Sequence, residues 1–255
     1  MADQRLALSV QDLTISFGGV TAVNAMALDI AEGEIVGLIG PNGAGKTTFI
    51  NCVAGAYRPS RGTIRWKGRE LRGLPPHAII RQGVARTFQN VASLHDLTVL
   101  DIVKLGAGAR GDLGPVQRLM AAVRSEQRIE QELLEKVLRP LRLADSAHQS
   151  IQTLSYGQRK AVDLARALAT QPNLLLLDEP VAGLTAHEGL AMAAVIRELR
   201  DRTGCAVLMV EHKMDVVMST CDRITVMAAG AKIFEGTGAE VQADPGVRRV
   251  YLGEP

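Results

Sequence analysis

The chain has 255 residues, 47% hydrophobic and 22% charged, enough for one α/β domain with a sizeable subdomain. Its 29 basic and 27 acidic residues are well mixed and leave a net charge of +2, so the basic stripe of a nucleic-acid binder is missing and no nucleic-acid partner is expected. No apolar run approaches the roughly 20 residues that cross a bilayer, and the N-terminal stretch MADQRLALSVQDL carries acids and lacks the apolar core of a signal peptide.

In chain order, residues 6–17 (LALSVQDLTISF) and the stretch VTAVNAMALDI read as strands, the second closed by the turn AEGE. EIVGLIG (34–40) is a continuous apolar run that ends in Gly-Pro-Asn-Gly, the pattern of a strand buried on both faces. KTTFINCVAG follows with a helical pattern, GTIRWKG reads as a strand between turns, and GVARTF as another strand. From about Val91 to Ser150 the chain reads as helix with little strand. Residues 106–115, GAGARGDLGP, read as a Gly-rich surface loop. SEQRIEQELLEKVLRP reads as an amphipathic helix from Ser125 to Pro140, with Ile129, Leu133 and Val137 on its apolar face. Beyond it, QRKAVDLARALATQ (helix), NLLLLDE (buried strand), LAMAAVIRELRDRTG (helix ending at Gly204) and CAVLMVEH (buried strand) alternate. Such alternation implies a parallel sheet. RITVMAAGAKIFEGT reads as a hairpin before a short helical tail. Cys52, Cys205 and Cys221 have no metal-binding spacing and read as buried thiols of a reducing compartment, so a cytoplasmic chain is expected.

Gly40 to Thr47, GPNGAGKT, fits the phosphate-loop pattern G-x-x-x-x-G-K-[ST] between a buried strand and a helix. Gly40, Pro41, Asn42, Gly43, Ala44 and Gly45 would curl the backbone so that its N–H groups face phosphate oxygens, with the helix N-terminus behind them. Lys46 would reach the β- and γ-phosphates, the Thr47 hydroxyl would ligate Mg²⁺, and Thr48 would add a phosphate contact. LLLLDEP, Leu174 to Pro180, ends an apolar strand in two acids that would face the same crevice. Asp178 is the candidate Mg²⁺ ligand and Glu179 the residue that polarises an attacking water, the division of labour phosphoryl transfer needs. His212 would reach the γ-phosphate from a neighbouring strand. The Gln89 amide in RTFQN would touch the Mg²⁺ or the water and feel the nucleotide state. A GTPase switch would carry N-K-x-D, which is absent.

GPNGAGKTT, RTFQN, LSYGQ, LLLLDEP and EH stand in the order and spacing of the ATP-binding subunit of ABC transporters, and the resemblance runs from about residue 6 to 254. LSYGQ is similar to that family's signature, normally LSGGQ, which other phosphate-loop NTPases lack. The resemblance implies an α/β P-loop NTPase core with a parallel sheet, an N-terminal antiparallel β subdomain and an inserted helical subdomain at roughly residues 91–160, all within one ABC ATPase domain spanning 1–255. It implies ATP and Mg²⁺ as ligands. It also implies a head-to-tail pair of ATPase subunits, either two copies of this chain or this chain with a paralogue. In that pair Ser155, Gly157 and Gln158 serve the nucleotide held by the partner's phosphate loop, where a helix N-terminus with a hydroxyl is an anion site. Ser155 would equally be a plain helix N-cap. Phe17 matches the aromatic that stacks on adenine. The implied partners are two membrane-spanning permease subunits and, indirectly, an extracytoplasmic substrate-binding protein, with this chain peripheral on the cytoplasmic face of the inner membrane. Two positions depart from the pattern: Tyr156 replaces the signature glycine, and Thr185 stands where most members have Asp.

FGGVTAVN, GVARTFQN, LSYGQ, DEPVAGL and YLGE further resemble the ATPase subunits of branched-chain amino acid importers, a group whose members also serve other amino acids, urea, amides and aromatic acids. The ATPase that extracts lipopolysaccharide shares the YLGE ending but has a signature closer to LSGGE. Soluble ABC ATPases usually carry two ATPase domains or a long coiled-coil insertion, and this chain has neither.

Overall fold

The computed structural model describes residues 6–87, 96–109 and 127–252 and divides the chain into two compact units, one made of 1–86 and 173–255, the other of 87–172. In the first unit, β1 (Leu6–Phe17) and β2 (Val20–Ala31) form a hairpin joined at Gly18-Gly19. With β4 (Arg61–Trp66) and β5 (Arg69–Glu70) they make an antiparallel sheet of order β2-β1-β4-β5. A second sheet has the order β10-β9-β3-β8-β7-β6. Its members are β3 (Ile35–Ile39), β6 (Val84–Arg86), β7 (Leu174–Asp178), β8 (Ala206–Val210), β9 (Arg223–Ala228) and β10 (Ala231–Gly236). Only β10 runs antiparallel to its neighbour; the pairings among β6, β7, β8, β3 and β9 are parallel.

The central strands β3, β7 and β8 are buried at every residue, as uninterrupted apolar runs require. Their alternate side chains serve two cores. Val36, Leu38, Leu174, Leu176, Leu208 and Val210 join the inner face of the antiparallel sheet and α1 (Lys46–Val53), where Phe49 and Ile50 are fully buried. Ile39, on the opposite face, packs with Val217, Ile224, Val226, Val241 and Val247. The parallel sheet is therefore covered on both sides, which parallel strands need because neither face can be left to water.

The register aligns the strand ends that matter. Leu38 of β3 and Asp178 of β7 both pair with Val210 of β8. The turns after these three adjacent strands therefore leave the sheet at one level, with β8 in the middle.

The first unit also holds a short helix, α2 (Pro76–Arg81), and the second unit is built on α3 (Val99–Ala109), a π-helix at Leu134–Leu138 and α4 (Tyr156–Ala169). Three expectations are corrected here. Residues 106–109 are not loop but the last turn of α3. Gly106 lies where α3 meets α4, and a Cβ there would sit 2.1 Å from the Arg166 carbonyl oxygen. This glycine is a close-packing device, and its loop-like composition misleads. Residues 110–115, and Ser125 with the start expected for the amphipathic helix, lie outside the described residues. That helix, seen from 127, widens into the π-helix, where Arg139 N donates to Leu134 O at 2.8 Å. Leu133, Val137 and Leu138 are buried, while Ile129, one turn before Leu133 near the start of the described helix, is exposed. GVARTF contributes a strand of only three residues, Val84–Arg86. Cys52 and Cys205 are buried, Cys221 is half-buried, and all three are free thiols pushed up to about 12 by burial. Among the described residues no helix is long and apolar enough to cross a membrane.

Candidate nucleotide site

The turn between β3 and α1 is braced into a cradle. Gly40 and Gly45 hold left-handed φ angles of 157° and 102°, and a Cβ would lie 2.0 Å from the Met227 carbonyl oxygen at Gly40 and 2.2 Å from that of Ala22 at Gly45. Only glycine satisfies both the backbone angle and the contact at these two points. Ala44, buried, accepts from Gly230 N at 3.0 Å, and its own N–H reaches Pro41 O at 3.2 Å. Asn42, Gly43 and Thr47 are exposed at the rim and Thr48 is half-buried. Lys46 is 5% exposed, and its Nζ donates to Gly40 O at 2.7 Å and Pro41 O at 2.9 Å. Burial lowers the Lys46 pKa from its ordinary value, while the negative charges of Glu179 and Asp178 act in the opposite sense. The ammonium, the cradle and the two acids thus share one electrostatic environment, suited to a polyphosphate.

The acids come from the end of β7. Asp178 is its last residue and is 3% exposed. Glu179 follows in the left-handed region at φ 51°, uncommon for a residue with a side chain and a form of strain that gathers at functional sites. Its N–H donates to Val210 O at 2.9 Å, tying the turn to β8. Glu179 Oε1 and His212 Nε2 stand 3.2 Å apart. His212 lies two residues past the end of β8, so the structure joins it to Glu179.

Arg86 went unnoticed in the sequence. It ends β6, the strand beside β7, and its Nη2 meets Asp178 Oδ2 at 2.9 Å with side chains 15% and 1% exposed. Its Nη1 also donates to Asn51 Oδ1 of α1. The signal was weak: a basic residue at a strand end reads as solvated until the strand order puts β6 next to β7.

In the second unit, Ser155 is the N-cap of α4. Its Oγ accepts from Gln158 N at 3.2 Å while Gln158 Oε1 accepts from Ser155 N at 2.9 Å, a reciprocal capping box. Gly157 lies in the same first turn. Tyr156 is 54% exposed, with Lys160 Nζ 5.9 Å from its ring centre. Back in the first unit, Phe17 ends β1 half exposed, and its ring meets Tyr57 edge-on, with centroids 5.3 Å apart and planes at 70°. Tyr57, also missed in the sequence, leaves α1 on a hydrogen bond from its N–H to Asn51 O of 3.2 Å. Gln89 lies outside the described residues.

A family described as ABC transporter matches residues 23–182, and one described as branched-chain amino acid ATP-binding cassette transporter matches residues 231–255. The chain belongs to the ABC transporter family.

As a member of that family it is an ATP-binding cassette and an ATP hydrolase. It is 40% identical over 249 residues to the high-affinity branched-chain amino acid transport ATP-binding protein BraF of Pseudomonas aeruginosa, covering 97% of this chain and 98% of that one. It is 39% identical over 250 residues to the corresponding LivG of Escherichia coli, with the same coverage. Among solved structures, the ADP conformation of an ATP-binding cassette of an ABC transporter superposes with a TM-score of 0.86 at 29% identity, covering 98% of this chain and 99% of that one. The fold expected of an ABC cassette, a parallel α/β core with an antiparallel β subdomain, is the fold found. Thr185, the departure from the family pattern, is the N-cap of α5 (Ala186–Thr203), in a capping box with Glu188. The substitution thus keeps a capping residue at this helix start.

Proposed function

We propose that this ABC cassette is the ATP-binding and hydrolysing subunit that powers an importer of branched-chain or closely related amino acids. The observation that carries this reading is the convergence of the β3, β7 and β8 turns, which set Lys46, Asp178, Glu179 and His212 around one phosphate cradle. The full-length likeness to BraF and LivG supports the cargo class.

In this proposal the N–H groups of residues 40–45 and the Lys46 ammonium bind the β- and γ-phosphates, with Thr48 adding a contact. Thr47 and Asp178 hold a Mg²⁺ ion, Gln89 contributing, and the donor set fits a hard cation that prefers hydroxyl and carboxylate oxygen. When bound, Mg²⁺ neutralises charge developing on the transferred phosphoryl group. Glu179 orients and polarises the attacking water. His212, hydrogen-bonded to Glu179, steadies that carboxylate and faces the γ-phosphate. Phe17 stacks on adenine. Ser155, Gly157 and Gln158 form the opposing anion site for the nucleotide of a second ATPase subunit. ATP would close the pair, and hydrolysis would release it. The helical subdomain, roughly residues 91–160, would form with Gln89 the groove that receives a coupling helix from the membrane partner, one of two membrane-spanning permease subunits, placing the chain peripherally on the cytoplasmic face of the inner membrane.

The test is to tag the chain, solubilise native membranes gently and identify what co-purifies, then measure leucine uptake in cells whose own copy carries Lys46→Ala. Two polytopic membrane proteins together with lost uptake support the importer. Normal leucine uptake with membrane partners present would redirect the cargo, to lipopolysaccharide among others. Purely soluble partners would end the transport reading.

A further inference from the structure

Glu211 is the residue between β8 and His212 and is 1% exposed. Its carboxylate is spanned by three backbone donors: Oε1 accepts from Val181 N at 2.8 Å, and Oε2 accepts from His212 N at 2.9 Å and Lys213 N at 3.4 Å. Val181 stands two residues beyond Glu179 in the turn after β7, while His212 and Lys213 belong to the turn after β8. One buried carboxylate therefore clasps the two turns that carry Glu179 and His212. Two further bonds run the same way: Glu179 N to Val210 O at 2.9 Å, and Lys213 Nζ to Leu184 O.

A buried carboxylate is costly unless its oxygens are filled by well-aimed donors, and donors to a charged acceptor make the stronger kind of hydrogen bond. A neutral side chain of the same size would fill the space. It would not gather N–H groups from both turns, because an amide offers one acceptor oxygen where the carboxylate offers two. We infer that Glu211 is a positioning residue: it fixes the approach of Glu179 Oε1 to His212 Nε2, 3.2 Å apart, so that the two act as one unit. The inference rests on the proposed roles of Glu179 and His212 in hydrolysis and deepens that reading. It gives the strain at Glu179, whose φ is 51°, a holding structure on both sides of the turn.

Glu211→Gln preserves the volume but sets an NH₂ group against one of the backbone donors. In the full-length protein its kcat falls about 100-fold, the cost of a misplacement near 1 Å, while KM for ATP stays within about twofold, since the phosphate cradle is untouched. A spectroscopic readout needs no turnover. The His212 ring resonance, assigned with His212→Ala, moves when Glu179→Gln is introduced into the otherwise unaltered protein and does not move when it is introduced into Glu211→Gln. If Glu211→Gln does not fold, Glu211→Asp, which keeps the charge but cannot reach both turns, carries the same two measurements. Unchanged kcat, or a His212 resonance still sensitive to Glu179 in the Glu211 variants, overturns the inference and leaves Glu211 a core staple. If instead Glu179→Gln and His212→Ala each hydrolyse ATP normally, the underlying roles fall, and that outcome is distinct from the first.

Discussion

The turns after β3, β7 and β8 and the start of α4 are both polar, glycine-containing stretches, yet they are satisfied in opposite ways. In the first, polar groups meet groups far away in sequence: Asp178 with Arg86, Glu179 with His212, Glu211 with Val181. In the second, the hydrogen bonds of Ser155 run to Gln158, three residues along, and Tyr156 stands exposed above them. The first region is assembled by tertiary structure into the candidate site. The second is a local cap, with Ser155 and Tyr156 exposed and Gly157 and Gln158 half-buried behind them. A site made of long-range pairs should lose function abruptly when one member goes. A local cap should tolerate loss of its own hydrogen bond and fail only when its face is blocked.

The largest effect expected is Lys46→Ala, which removes the buried ammonium from the cradle and lowers phosphate release at saturating ATP by about 1000-fold. Turnover near that of the unaltered protein would take Lys46 out of the chemistry. Glu179→Gln comes next. It should cut hydrolysis by about 100-fold or more and let an ATP-dependent dimer accumulate on size exclusion, a dimer that Ser155→Arg abolishes. A Glu179→Gln protein that stays monomeric in saturating ATP, with and without its membrane partners, would break the comparison at its second half.

Arg86→Ala sharpens the first half. It removes the guanidinium from beside the buried carboxylate of Asp178, whose side chain is 1% exposed, and should lower unfolding stability by about 3 kcal/mol in urea titrations. A loss below about 0.5 kcal/mol would show that the pair is dispensable. Gly106→Ala drives a methyl toward the Arg166 carbonyl and should cost about 1–3 kcal/mol by strain between α3 and α4, read as a lowered melting temperature. The smallest effect is Ser155→Ala. The cap lost is worth about 1 kcal/mol, and the protein should still fold, whereas Ser155→Arg should fold equally well and yet fail to dimerise.

Much of this was legible in the residues, and the misses share one cause. GPNGAGKT, LLLLDEP and LSYGQ carry their chemistry in adjacent residues, as N–H groups, glycine angles and acids at a strand end, so reading along the chain finds them. Arg86, Glu211 and Tyr57 each meet a partner 92, 30 or 40 positions away, and no local pattern announces such partners. Gly106 misled for the related reason that glycine has one composition and two uses. In a turn it permits an angle; between α3 and α4 it permits an approach. Ile129 shares the helical spacing of Leu133 and is nevertheless exposed, because periodicity says which residues share a face and not how far the covering neighbours extend along it.

The sequence by itself determined the phosphate loop, the paired acids and the run of buried strands, since each is written in short-range geometry and hydrophobic pattern, and the resemblance of its motifs in their order gave the family. Only the tertiary structure decided that β8 lies between β3 and β7, that Val210 sets one level for Leu38 and Asp178, and that Glu211 clasps the two turns beside it. Strand order and register arise from the packing of whole faces against one another, and apolar runs as alike as LLLLD and AVLMV do not say which will be neighbours.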